Sequence, residues 1–257
     1  GFEKDIRNII STTPSSETRQ TLMFSATWPK DAAKLANDFL AKDVMTIQIG
    51  SLELSASHTV TQRVEVLEMG ARDARLDQLL NKYHDRKNRV LIFVLYKKEA
   101  PRLEQTLMRK GWKAVAIHGD MTQEGRLKAL EGFKSGTTPM MIATDVAARG
   151  LDIPDVEYVI NYSFPLTVED YVHRIGRTGR AGKSGIAHTF FTVADKVRAG
   201  ELVNVLREAG AEVPPDLLKF GTHVKKKESK LYGAHFKEID ENVKAVKITF
   251  GDDSDDE

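Results

Sequence analysis

Hydrophobic positions alternate regularly from residue 60 onward. Short apolar runs that suit β-strands are separated by stretches in which apolar residues recur every three or four places, as on one face of a helix. Strands are predicted at 62–69, 89–95, 114–118, 140–144, 156–162 and 185–192. The run RVLIFVL at 89–95 is apolar almost throughout, the pattern of a strand covered on both faces. Helices are predicted over 73–83, 98–110, 122–133, 168–175 and 195–209. Thr122 stands where an N-cap is expected, Pro101 falls in a first turn, and Gly111 follows a helix end as the C′ residue. Repeated β-α units with apolar strands predict an α/β fold, a parallel sheet with helices on both faces. Ligands of such sheets sit at the carboxyl ends of the strands. His118-Gly119-Asp120, Thr144-Asp145 and Ser25-Ala26-Thr27 all fall at predicted strand ends.

The first 59 residues follow another rhythm. A short helix is predicted over 2–10, a buried strand over 21–27 (TLMFSAT), a helix over 30–40 and a strand over 44–49. Residues 50–59 (GSLELSASHT) are small and polar without periodicity, which predicts a linker between two domains. Pro214-Pro215 is expected to end the compact part. Residues 216–257 turn basic at Lys225-Lys226-Lys227 and acidic at the end, with little to bury, and are expected to be mostly disordered.

Composition narrows the function. Net charge is +1 over 257 residues, so an anionic partner must be met by local patches. The chain has no Cys, which excludes disulfides and Cys-ligated zinc. It has no apolar run of about 18 residues and no signal-peptide pattern, so no membrane partner is expected. Opening on Gly1 rather than Met, it reads as a fragment.

The densest chemistry is Tyr171-Val172-His173-Arg174-Ile175-Gly176-Arg177-Thr178-Gly179-Arg180. Arginines recur every third residue, with glycines between them and no acid. That spacing is expected to point the guanidiniums towards a common side, where planar forks suit phosphate oxygens. In ATDVAARGLDI at 143–153, Gly150 allows backbone to approach a phosphate and the Asp152 carboxylate suits a ribose hydroxyl. Equally, Asp145 reads as a helix cap and Asp152 as a turn acid. Gln123 and Arg126 share a helix face near its N-terminus, where anions are attracted, or form a plain surface pair. Ser25-Ala26-Thr27 is a hydroxyl pair able to sense a neighbouring domain, or an ordinary strand exit. Gly182-Lys183-Ser184 ends like a phosphate loop, but Arg177 stands where the pattern needs Gly, so it is rejected as one.

Ser25-Ala26-Thr27, Phe93, His118-Gly119-Asp120, Gln123 with Arg126, ATDVAARGLDI and HRIGRTGR, in this order and spacing, resemble the DEAD-box RNA helicase family over roughly residues 1–215. The resemblance implies two RecA-like domains with ATP in the cleft and single-stranded RNA across both. Residues 1–49 would end the first domain and 60–215 form the second. The first domain's phosphate loop and Asp-Glu-Ala-Asp box are absent, so Mg²⁺ would be held outside this chain, which has no metal site of its own. Arg177 and Arg180 would be arginine fingers on the γ-phosphate. His173 would be the catalytic link from that phosphate to Ser25, Ala26 and Thr27, which couple the domains. Gly150 and Asp152 would contact ATP. Gly119, Gln123, Arg126, Thr144 and Asp145 would grip the RNA backbone without reading sequence. Tyr96 departs from the family pattern, in which Thr or Asn is common, which leaves no such side-chain contact to phosphate there and a backbone N–H as the alternative donor. A narrower likeness, to a fungal nucleolar branch, rests on SATWP, VLYKKEA, FPLTVEDYVHRIGRTGRAG, LLKFGTHVKKKE and KITF. It implies ribosomal RNA processing in the nucleus and nucleolus beside pre-ribosomal proteins. The competing class is a non-catalytic RNA-binding or adaptor module that uses the strand-end surface and the lysines at 225–227.

Overall fold

The computed structural model describes residues 3–25, 30–41, 43–47, 59–148, 156–180 and 182–222. Helices α1 (Glu3–Ser11) and α2 (Lys30–Asn37) come first. Then follow β1 (Val60–Val66), α3 (Arg72–Tyr83), β2 (Arg89–Phe93), α4 (Glu99–Arg109), β3 (Ala114–Ile117), α5 (Gln123–Ser135) and β4 (Met140–Ala143). The short α6 (Asp145–Ala148) precedes β5 (Val156–Asn161), α7 (Val168–Ile175), β6 (Gly185–Phe191), α8 (Ala199–Glu208) and α9 (Pro215–Leu218). The strands form one six-stranded parallel sheet in the order β1-β6-β5-β2-β4-β3. The α/β class expected from the alternation is the one adopted.

Side chains on a strand alternate between the two faces, and each face has its own core. Val90 and Ile92 of β2 meet Met140 and Ile142 of β4 beneath Leu76, Leu79 and Leu80 of α3 and Leu103 and Leu107 of α4. On the other face Leu91, Phe93, Met141 and Ala143 lie beneath Phe133 of α5, Tyr171 and Ile175 of α7 and Leu202 of α8. The central strands β2 and β4 therefore carry apolar side chains on both faces, whereas edge strand β1 alternates buried Val60, Gln62 and Val64 with exposed Thr61 and Arg63. Thr122 caps α5 by accepting from the Gly125 amide at 3.1 Å, and Thr167 caps α7 by accepting from the Asp170 amide at 3.0 Å. Gly111, at φ 81°, closes α4 as expected.

Several expectations are corrected. Residues 21–25 and 44–47 form no strand: Phe24 is 92% and Met45 85% exposed, and no strand pairs with either run among the described residues. An apolar run becomes a strand only where a sheet supplies partners for its backbone. The rest of both runs, and residues 50–58 of the expected linker, lie outside the described residues. The helix expected over 195–209 begins as a 3₁₀ turn, Val193–Arg198, before α8. The turn is tightened because Asp195 Oδ2 accepts from both the amide (3.0 Å) and the hydroxyl (2.8 Å) of Thr192. Beyond Pro214-Pro215 the chain stays packed: Leu217 of α9 is buried and Phe220 lies against the same core. Residues 223–257 of the expected tail lie outside the described residues. Among the described residues no helix is long and apolar enough to cross a membrane.

Candidate functional site

The Arg-rich segment splits by position. Helix α7 turns Tyr171, Arg174 and Ile175 inward and leaves His173 exposed. The helix ends at Ile175, and residues 176–180 continue as a turn whose Arg177 and Thr178 amides donate to the carbonyls of Arg174 (3.0 Å) and Ile175 (3.1 Å). The turn is pinned by two hydroxyls. The Thr178 hydroxyl donates to the Val156 carbonyl at the start of β5 at 2.5 Å, and the Thr59 hydroxyl donates to the Gly179 carbonyl at 2.7 Å. Gly179 has φ 68°, and a Cβ there would lie 2.8 Å from both Thr59 Oγ1 and Val60 Cγ2, so only glycine fits.

The three arginines do not share one side, contrary to the spacing argument. Arg174 is 1% exposed and turns back into the protein. It grips Asp145 with Nε at 2.6 Å and Nη2 at 2.7 Å, donates to the Ser163 carbonyl at 2.7 Å and stacks its guanidinium 5.0 Å from the Phe93 ring centre. Arg177 is half-buried, and its guanidinium has no hydrogen-bond acceptor or carboxylate among the described residues. Burial and then the charge of nearby Arg180 hold the Arg177 pKa below its usual value. Arg180 is exposed, with Nε on the Gly176 carbonyl at 2.7 Å. Two guanidiniums that repel each other with no acid between them have the charge to pair with a multiply charged anion. Regular spacing predicts a common face only while a helix lasts, and this helix stops between Arg174 and Arg177.

The residues expected to hold RNA lie at the opposite end of the sheet. Gly119 follows β3 and Thr144 follows β4, while Gln123 opens α5 and Arg126 sits one turn along it. These are carboxyl ends of strands, whereas the Arg177–Arg180 turn abuts the starts of β1, β5 and β6. The strand-end rule located one cluster and not the other. Arg126 Nη2 reaches the Ala147 carbonyl at 3.5 Å, and Lys97 pairs with Asp120 at 2.8 Å, which ties neighbouring loops together. Thr144 is 7% exposed, its carbonyl accepting from the Ala148 amide at 2.9 Å. Both carboxylate oxygens of Asp145 are taken by Arg174. The backbone N–H groups of Leu95 and Tyr96 both donate to Glu99 Oε2 at 3.0 Å, so neither is a free donor to a phosphate. The Tyr96 ring itself is 64% exposed.

Ser25 is exposed at the end of a described stretch; Ala26, Thr27, Gly150 and Asp152 lie outside the described residues. Gly182-Lys183-Ser184 leads into β6 rather than a helix, in keeping with its rejection as a phosphate loop. Among the described residues no three His, Asp or Glu side chains cluster to hold a metal ion. Sequence reasoning missed two supporting roles, the Arg174–Asp145 pair and the Glu99 clamp. Glu99 carried a signal: an acid in the first turn after a strand end is placed to collect loop amides.

Residues 71–182 match the family described as helicase conserved C-terminal domain. The whole chain is 64% identical to DEAD-box ATP-dependent RNA helicase 5 of Arabidopsis thaliana and covers 48% of that protein. Over 97% of the chain it is 56% identical to ATP-dependent RNA helicase DBP3 of Saccharomyces cerevisiae, covering 48% of it. The chain thus spans about half the length of the curated relatives it matches. Among solved structures it is similar to the yeast DEAD-box splicing factor Prp28, with a TM-score of 0.61 and 32% identity over 90% of this chain and 52% of that one. The six-stranded sheet has the RecA-like fold of those neighbours.

Proposed function

Because the chain belongs to the DEAD-box RNA helicase family, we propose that it is the part of an ATP-dependent RNA helicase that completes the ATP cleft and half of the RNA-binding surface. The carrying observation is Arg177, a half-buried guanidinium repelled by Arg180 and without an acid of its own among the described residues. The two forks fit a triphosphate, whose transferring group they would stabilise as its charge spreads. His173 would link that phosphate to Ser25-Ala26-Thr27, and Gly150 and Asp152 would hold the nucleotide. Mg²⁺ would be held by acids of a first domain, as the family resemblance implies. Gly119, Gln123, Arg126 and Thr144 would hold the sugar-phosphate strand independently of sequence, and Asp145 would support Thr144 from behind through its grip on Arg174. Residues 1–49 would end the first RecA-like domain and 60–222 form the second. Closure around ATP would favour a bent single strand over a regular duplex and so separate strands. Ribosomal RNA precursors as substrate, in the nucleolus among pre-ribosomal proteins, are proposed from the sequence likeness to the fungal nucleolar branch alone. The test is RNA-stimulated ATP hydrolysis by the full-length protein with Arg177→Ala. Turnover that stays near the parent's rate would remove the basis for this assignment.

A further inference from the structure

A second surface has no part in the function above. It lies at the starts of β2 and β3, on the side of the sheet covered by α3 and α4. Lys82, Arg86, Lys87, Arg109, Lys110 and Lys113 are all exposed there. The carboxylates beside them are already engaged: Glu157 accepts from the Arg89 amide at the start of β2 at 2.7 Å, and Asp77 and Asp85 have partners of their own. Asp77 is shared between Lys110, at 3.1 Å, and the Trp112 indole, at 3.2 Å. Asp85 is engaged by the amides of Lys87 (2.9 Å) and Asn88 (2.8 Å). Lysines and arginines at helix ends commonly offset the helix dipole, which accounts for Lys82, Arg109 and Lys110. It does not account for Arg86, Lys87 and Lys113, which stand in the turns leading to the strands.

Arg86 is held in place at a cost. It has φ 70°, the one positive φ outside glycine among the described residues. Gly or Asn would sit there with less strain. The turn is locked by Asn88, whose Nδ2 donates to the Tyr83 carbonyl at 2.6 Å, and the Arg86 guanidinium is laid 5.5 Å from the ring centre of Trp112. Strain of this kind persists where the surroundings impose it, and it tends to mark working positions. Trp112 is only 9% exposed, so the patch offers cations without an apolar pocket for a peptide side chain.

From these observations we infer that the Arg86–Lys87–Lys113 patch binds a phosphodiester backbone, as a second anchor for the flank of an RNA already held at the strand ends. The inference rests on the reading that the protein holds RNA. A flank reaching this patch must pass from one end of the sheet to the other, so only long RNA uses it.

The test compares oligouridines of about 6 and about 30 nucleotides by fluorescence anisotropy with the 257-residue chain. The triple variant Arg86→Asn, Lys87→Gln, Lys113→Gln is expected to bind the long RNA about tenfold more weakly. The dependence of log affinity on log salt should flatten by about 0.7 for each phosphate that is no longer neutralised. The short RNA should be unaffected by the triple variant and weakened by Arg126→Ala. Unchanged long-RNA affinity, or equal losses for both lengths, would overturn the inference. So would polyglutamate binding as tightly as the long RNA and being lost in the triple variant, which would make the partner an acidic protein. If wild type fails to bind the short RNA and Arg126→Ala changes nothing, the strand-end reading fails, while a long-RNA loss in the triple variant still sustains the patch.

Discussion

Arg174 and Asp145 form a bidentate ion pair, 2.6 and 2.7 Å, that joins the last turn of α7 to the first residue of α6. Arg174 is 1% exposed and the Asp145 side chain 21%, so the Arg174 end of the pair is shielded from solvent, and Arg174 Nη1 also reaches Ser163 and Asn161. Removing Arg174 takes a large buried side chain and its fork out of the core and leaves the partly exposed Asp145 unpaired. Arg174→Ala is expected to cost about 3–5 kcal/mol, read from urea denaturation midpoints. Arg174→Lys should recover little, because an ammonium cannot reproduce the fork.

Arg177 should behave in the opposite way. It holds up no neighbour among the described residues, so Arg177→Ala is expected to leave the melting temperature nearly unchanged. In the full-length protein, kcat for ATP should fall by about 10³–10⁵-fold. A loss of stability matching that of the Arg174 variant would show that Arg177 is a packing residue.

Gly185 offers a subtler route to the same turn. A Cβ at this position would meet the Thr178 hydroxyl and lie 2.6 Å from the Gly179 amide. Gly185→Ala should therefore displace the segment bearing Arg177 and Arg180. The expected signature is an ATPase defect in the full-length protein larger than its shift in denaturation midpoint implies.

Tyr171 carries a hydroxyl into the core, where it donates to Gln62 Oε1 at 2.7 Å. Burial pushes its pKa up, and Gln62 Nε2 has no partner of its own among the described residues. Tyr171→Phe leaves Gln62 less satisfied still and should cost about 1–3 kcal/mol in equilibrium unfolding.

Stability should also fall at both pH extremes through named groups. Burial holds the His188 pKa below its usual value, against the pull of Glu65 at 3.0 Å and with the repulsion of Arg75 and Arg63. A depressed folded-state value means the unfolded chain takes the proton first. Stability is present above the unfolded pKa of about 6.5 and is lost as pH falls through the folded one. Tyr162 is pushed up to about 12, first by burial and then by donating to Asp73. Its contribution is whole below about 10 and is lost as pH rises through the folded value. Unfolding midpoints followed against pH should flatten on the acid side in His188→Gln and on the alkaline side in Tyr162→Phe.

Amino-acid order alone determined the β-α alternation, the parallel sheet, the caps Thr122 and Gly111 and the motifs that mark the family, because each depends on neighbours a few residues apart. The near-continuous apolar run at 89–95 also made the two-sided burial of β2 legible. Tertiary structure decided everything that depends on contacts between distant segments. TLMFS is apolar enough for a strand, yet a strand exists only beside another, and residues 21–25 have none among the described residues. Three evenly spaced arginines look alike in sequence, yet Asp145 draws one of them inside while the turn held by Thr59, Val156 and Gly185 leaves the other two outward. Charge, hydrogen-bond capacity and size are properties of a residue; whether they face solvent, a ligand or another side chain is settled only when the sheet and its helices bring remote segments together.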